Sequence, residues 1–76
     1  MDFGLLQELI ADGLGIDKEE VKRESDLSAD LGADSLDAVE LIMAIEDEFE
    51  ITVDDETAQS FKTVGQIAAF IEKVKG

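Results

Sequence analysis

From Ser35 to Glu50 the chain runs sixteen residues without a glycine or proline, and its apolar side chains return at helical rather than strand spacing. Leu, Ala, Glu and Met fill this stretch, all strong helix formers, so it must form a helix and everything else must pack around it. At 76 residues there is material for one core and no more. The sequence therefore predicts a single domain over residues 1–76 in which this segment is the second helix.

Two further segments carry the same periodicity. Phe3, Leu6, Ile10 and Leu14, widened by Leu5 and Leu9, place a first helix near Asp2 to Leu14, and Gly13 and Gly15 end it. Thr63 and Gln66 form a capping box ahead of Val64, Ile67, Ala68, Ile71 and Val74, a last helix that runs to Lys73 and Lys75. Between Val53 and the last helix, Asp54, Asp55 and Glu56 suit the start of a short helix through Phe61, because negative charge is favoured at the N-terminal end of aligned peptide dipoles. Asp17 and Glu20 make a short capping signature, after which periodicity fails through Gly32. That stretch predicts a long loop with one turn of helix, pinned to the bundle by Val21, Leu27 and Leu31. Strand alternation is confined to Ile51-Thr52-Val53. The expected fold is all-α: a small four-helix bundle, three helices long and one short, with a long loop between helices one and two.

Composition narrows the chemistry. There is no cysteine and no histidine, which removes disulfides, thiolate chemistry, the usual metal sites and the usual general base. Any thiol the protein uses must be imported, and no protein metal site is expected. No apolar run approaches the roughly 18 residues of a membrane span, and no charged start with an apolar stretch marks a signal peptide. The sequence predicts a soluble, cytoplasmic protein with no membrane partner. Twenty acidic residues stand against six basic ones, which repels nucleic acid and favours positively charged protein faces. From Glu24 to Phe61 there are thirteen carboxylates and not one Lys or Arg. This stretch is a candidate docking surface, with solvated helix faces as the plainer alternative.

At the head of helix two, Asp34 and Asp37 stand three apart where the glycine-containing loop meets the apolar run. If Asp34 is the N-cap, Ser35 takes the first helical position, where its hydroxyl is free to point outward beside amides that lack helical partners. The competing arrangement makes Ser35 itself the cap. Along the helix, about 100° of rotation per residue gathers Ala38, Leu41, Ile42, Ile45 and Phe49 into an arc of roughly 100° that faces the core. Leu36, Val39 and Met43 fall in a separate arc of about 60°, centred about 140° from the first. Bordered by Glu40 and Asp47 on one side and by Glu46 and Glu50 on the other, this second strip resembles a docking site beside Ser35. A wide apolar face packed under the long loop would account for the same pattern.

Asp34-Ser35-Leu36, preceded by Asp30-Leu31-Gly32-Ala33 and followed by Asp37-Ala38-Val39-Glu40-Leu41-Ile42-Met43, resembles the acyl carrier protein family, specifically its free-standing bacterial members. The likeness extends to the apolar pattern of helix one, the acids from Glu46 to Glu50 and Thr63-Val64-Gly65. It implies that Ser35, flanked by Asp34 and Leu36, is esterified by 4′-phosphopantetheine taken from coenzyme A by a phosphopantetheinyl transferase, and that the arm's thiol carries an acyl group. It also implies that Leu36, Asp37, Val39, Glu40, Met43, Glu46, Asp47 and Glu50 meet basic patches on fatty acid or polyketide synthase enzymes. The protein would be a monomeric, non-catalytic shuttle, most simply of fatty acid biosynthesis, with a specialised polyketide or amino-acid pathway as the alternative. An acidic interaction module without an arm would leave Ser35 unmodified. An enzyme is disfavoured on chemistry, since a serine nucleophile needs a base and no histidine exists to supply one.

Overall fold

The computed structural model describes residues 1–75, and each helix in it begins where a side chain can take up an otherwise unpartnered amide. The Asp2 carboxylate accepts from the Gly4 N–H at 2.9 Å and opens α1 (Phe3–Leu14), which ends at Gly15 with φ 69°. That left-handed turn is open to glycine because it has no Cβ to clash. Asp34 caps α2 (Ser35–Phe49), Asp54 caps α3 (Asp55–Ser60), and the Thr63 hydroxyl accepts from the Gln66 N–H at 3.3 Å ahead of α4 (Val64–Lys75). The expected bundle of three long helices and one short one is what forms. The boundaries differ from expectation only at the caps: Asp2, Asp54 and Phe61 flank their helices, and Glu50 ends α2 in a left-handed conformation, φ 54°.

One core takes side chains from every region of the chain. Leu6, Ile10 and Ala11 come from α1, Leu41, Ile42 and Ile45 from α2, and Val64, Ile67, Ala68 and Ile71 from α4. Phe3 and Leu14 flank the α1 stripe, half-buried. Val74, expected on the inner face of α4, is half exposed, because the last turn of that helix, Glu72 to Lys75, lies wholly at the surface beyond the core. Val21, Leu27 and Leu31 anchor the long loop as expected, and its single 3₁₀ turn, Lys18–Glu20, carries the Asp17–Glu20 capping box. Ile51 and Val53 form no strand; they plug the core from the link between α2 and α3, where the Glu46 carboxylate accepts the Val53 N–H at 2.8 Å.

The loop is also sewn to the head of α4 through backbone. Leu27 donates to the Lys62 carbonyl at 2.8 Å, Val64 to that of Ser25 at 3.1 Å and Gly65 to that of Arg23 at 2.8 Å. A Cβ on Gly65 would lie 2.9 Å from the Arg23 carbonyl oxygen, so only glycine admits this approach. Ser25, the buried polar residue of the loop, accepts from the Lys22 N–H at 3.0 Å and donates to the Glu20 carbonyl at 3.1 Å. With these bonds a segment of low periodicity becomes a fixed wall next to the start of α2.

Candidate functional site: the head of the second helix

Asp34 and Asp37 close a reciprocal box across the start of α2. Asp34 Oδ1 accepts from the Asp37 N–H at 2.9 Å, and Asp37 Oδ2 accepts from the Asp34 N–H at 3.3 Å. Asp34 is thus the cap, and Ser35 is the first helical residue, exposed, with its hydroxyl in no hydrogen bond among the described residues. Among the described residues no base is hydrogen-bonded to it.

Next to Ser35 on the outer face of α2, Leu36, Val39 and Met43 are 73 %, 57 % and 61 % exposed. The inner arc, by contrast, is buried at Leu41, Ile42 and Ile45, with Ala38 and Phe49 half-buried at its edges. The long loop does not cover the second strip. Of the acids expected to border it, Glu40, Asp47 and Glu50 are exposed. Asp37 and Glu46 are half-buried and hold structure, one in the capping box and the other on the Val53 amide, so their charges are offered to a partner less freely. Exposed large apolar groups in a row within carboxylates make a small contact surface with a polar rim.

A groove of about 610 Å³ opens beside Ser35, between the loop at Asp26–Ser28, the first turns of α2 and the end of α3, and shares Val39 with the strip. Leu27, Ala33, Ala38, Val39, Ile42, Ala58 and Phe61 give it an apolar lining, and Asp34, Gln59 and Lys62 stand with Ser35 among its polar groups. Phe61 is braced by an edge-on contact with Phe70, ring centroids 5.7 Å apart. Sequence periodicity did not find this groove. Its one trace was the pair of small residues, Ala38 and Ala58, that leave room between α2 and α3. No group of three or more His, Cys, Asp or Glu among the described residues could hold a metal ion.

An exposed hydroxyl at a helix head, beside an apolar strip and an apolar groove, suits a carrier of a covalently attached prosthetic arm. The family described as the phosphopantetheine attachment site matches residues 4–71, and the chain belongs to that family, whose members bear 4′-phosphopantetheine as the arm. Acyl carrier proteins are its near relatives here. That of Phaeodactylum tricornutum is 49 % identical over 72 residues, 95 % of each chain, and that of Clostridium perfringens is 52 % identical over 69 residues, 91 % of each. The solved structure of a chain assigned as an acyl carrier protein from Mycobacterium tuberculosis superposes with a TM-score of 0.86 at 33 % identity, over 92 % of this chain and 93 % of that one. The residues at the helix head fit the arm: an unbonded, exposed hydroxyl is free for esterification, and the adjacent groove has room for a flexible chain.

Proposed function

We propose that Ser35 bears the 4′-phosphopantetheine arm and that the protein ferries acyl thioesters between enzymes of fatty acid biosynthesis. The observation that carries this reading is the Asp34–Asp37 box, which takes over the capping that the serine would otherwise do and leaves its hydroxyl exposed. In arm transfer, Ser35 Oγ attacks a phosphorus of coenzyme A, the nucleotide part departs, and the hydroxyl proton passes to a base on the transferase. The arm supplies the thiol that this cysteine-free chain lacks. Leu36, Val39 and Met43 form the apolar contact for the transferase and the synthase enzymes, and Glu40, Asp47 and Glu50, with weaker help from Asp37 and Glu46, meet their basic patches. Steering by charge with little apolar area gives fast, weak binding, which a shuttle that must leave each partner requires. The net charge of −14 disfavours self-association and supports a monomer.

The test is incubation of the purified protein with coenzyme A, Mg²⁺ and a broad-specificity phosphopantetheinyl transferase, followed by intact mass measurement. One added arm, lost in Ser35→Ala, is expected. An unmodified parent would leave an acidic interaction module as the function. Chain elongation on the loaded protein by a condensing enzyme of fatty acid synthesis supports the pathway. Loading only by a polyketide condensing enzyme or an amino-acid-activating enzyme assigns the specialised alternative.

A further inference from the structure

An arm on Ser35 is joined through a phosphodiester, which holds one negative charge at neutral pH, and the surroundings oppose that charge. Asp26 and Asp34 line the groove together with Ser35, and the whole chain carries −14. The helix head offers partial relief. The amides of Ser35 and Leu36, in the first turn of α2, have no helical acceptor, and the Asp34 carboxylate takes that of Asp37. What is missing at the helix head is a full positive charge.

One cation shares the groove. Lys62 is the only Lys or Arg that lines it, and it is the first base after the acidic stretch that ends at Phe61. Its backbone is held from two sides, the N–H donating to Gln66 Oε1 at 2.6 Å and the carbonyl accepting from Leu27 at 2.8 Å. Its side chain is exposed and pairs with no carboxylate; among the described residues the ion pair is Lys18–Glu8, at 3.5 Å. A fixed backbone thus puts a lysine whose side chain pairs with no carboxylate in the wall of the groove, next to a stretch otherwise stripped of positive charge.

We propose that the Lys62 ammonium pairs with the phosphodiester of the arm on Ser35 and so holds the arm along the groove rather than out in solvent. This rests on Ser35 being the attachment residue. Lys62 is a positioning residue: it takes no part in transfer or acylation. A pair between exposed groups shifts the ratio of docked to free arm by about two- to five-fold, and added salt erodes the shift.

The experiment uses the arm-bearing protein, its loading checked by mass. Phosphorus NMR reads the diester, and nuclear Overhauser contacts from the arm's methyl groups to the methyls of Leu27, Val39 and Ala58 read docking. In Lys62→Gln the contacts weaken by about two- to five-fold and the phosphorus shift loses its dependence on salt, whereas Lys62→Arg keeps both and Lys73→Gln, outside the groove, changes neither. Circular dichroism confirms that each variant is folded. If the arm is present but parent and Lys62→Gln give the same contacts and the same phosphorus shift at low salt, the pairing is overturned and the carrier reading stands. If no arm can be attached to Ser35, both fall together.

Discussion

Whether a hydroxyl at a helix head is occupied or free is decided by its neighbours, and at Ser35 two carboxylates decide it. The spacing of Asp34 and Asp37 made this arrangement legible in the sequence, because a reciprocal box needs only two acidic or hydroxylic residues three apart. It did not exclude Ser35 as its own cap; only the coordinates of the Asp34 carboxylate did. Gly65 is the opposite case. In sequence it stands only as part of the Thr63-Val64-Gly65 likeness at the head of the last helix, and nothing local announces that the Arg23 carbonyl lies against it. At an open helical position alanine would be worth up to about 1 kcal/mol over glycine. Here the added Cβ, 2.9 Å from a backbone oxygen, must push the loop away from α4. Gly65→Ala is therefore expected to destabilise by about 1–3 kcal/mol, measured by urea unfolding. A stabilised variant would show that the loop yields without cost.

Among the elements, α2 is the one whose two faces do different work, and the sequence exposed that division because both faces lie on a single period. The inner arc is sealed at Ile45 and the outer strip is open at Met43. Ile45→Ala is expected to cost about 2–5 kcal/mol in stability, a large share of what so small a domain possesses. Met43→Ala should stay within about 0.5 kcal/mol of the parent while weakening binding to the transferase, measured by calorimetry. Equal loss of stability in the two variants would mean that the strip is part of the core. The groove and the backbone ties between loop and α4 escaped sequence reading for a common reason: each depends on how separate elements sit against one another, and such pairings leave no periodic trace. The short α3 is capped by Asp54. Hydrogen bonds from the Thr57 side chain, and then from its backbone N–H at 2.7 Å, hold the Asp54 carboxyl below its ordinary value of 3.8. A carboxyl depressed in the folded state stabilises above its unfolded value and loses that contribution as pH falls through the folded one. The stability gap between parent and Asp54→Ala should thus be full at neutral pH and close as pH drops below 3.8, followed by urea unfolding at each pH. A gap that widens in acid would contradict the cap.

At the scale of the whole molecule, charge acts on folding and on docking with opposite signs. Twenty acids face six bases, and among the described residues one ion pair, Lys18–Glu8, links opposite charges. Most carboxylates are therefore unpaired, and they repel one another across a body only 26 × 24 × 19 Å in extent. These extents lie within the screening length of about 30 Å at 0.01 M salt and exceed the roughly 8 Å at 0.15 M. Raising salt over this range should increase the melting temperature, because the folded chain concentrates the like charges that unfolding would spread apart. The same salt would weaken the proposed attraction between Glu40, Asp47 and Glu50 and a basic partner, so transferase affinity should fall while stability climbs. Charge reversal at Asp47 sharpens the test: Asp47→Lys should raise the melting temperature and lower affinity at low salt, and both differences should shrink together at high salt. The two responses are read by thermal unfolding and by titration calorimetry on the same samples. If stability and affinity moved in the same direction with salt, a shared dependence on one acidic face could not be their cause.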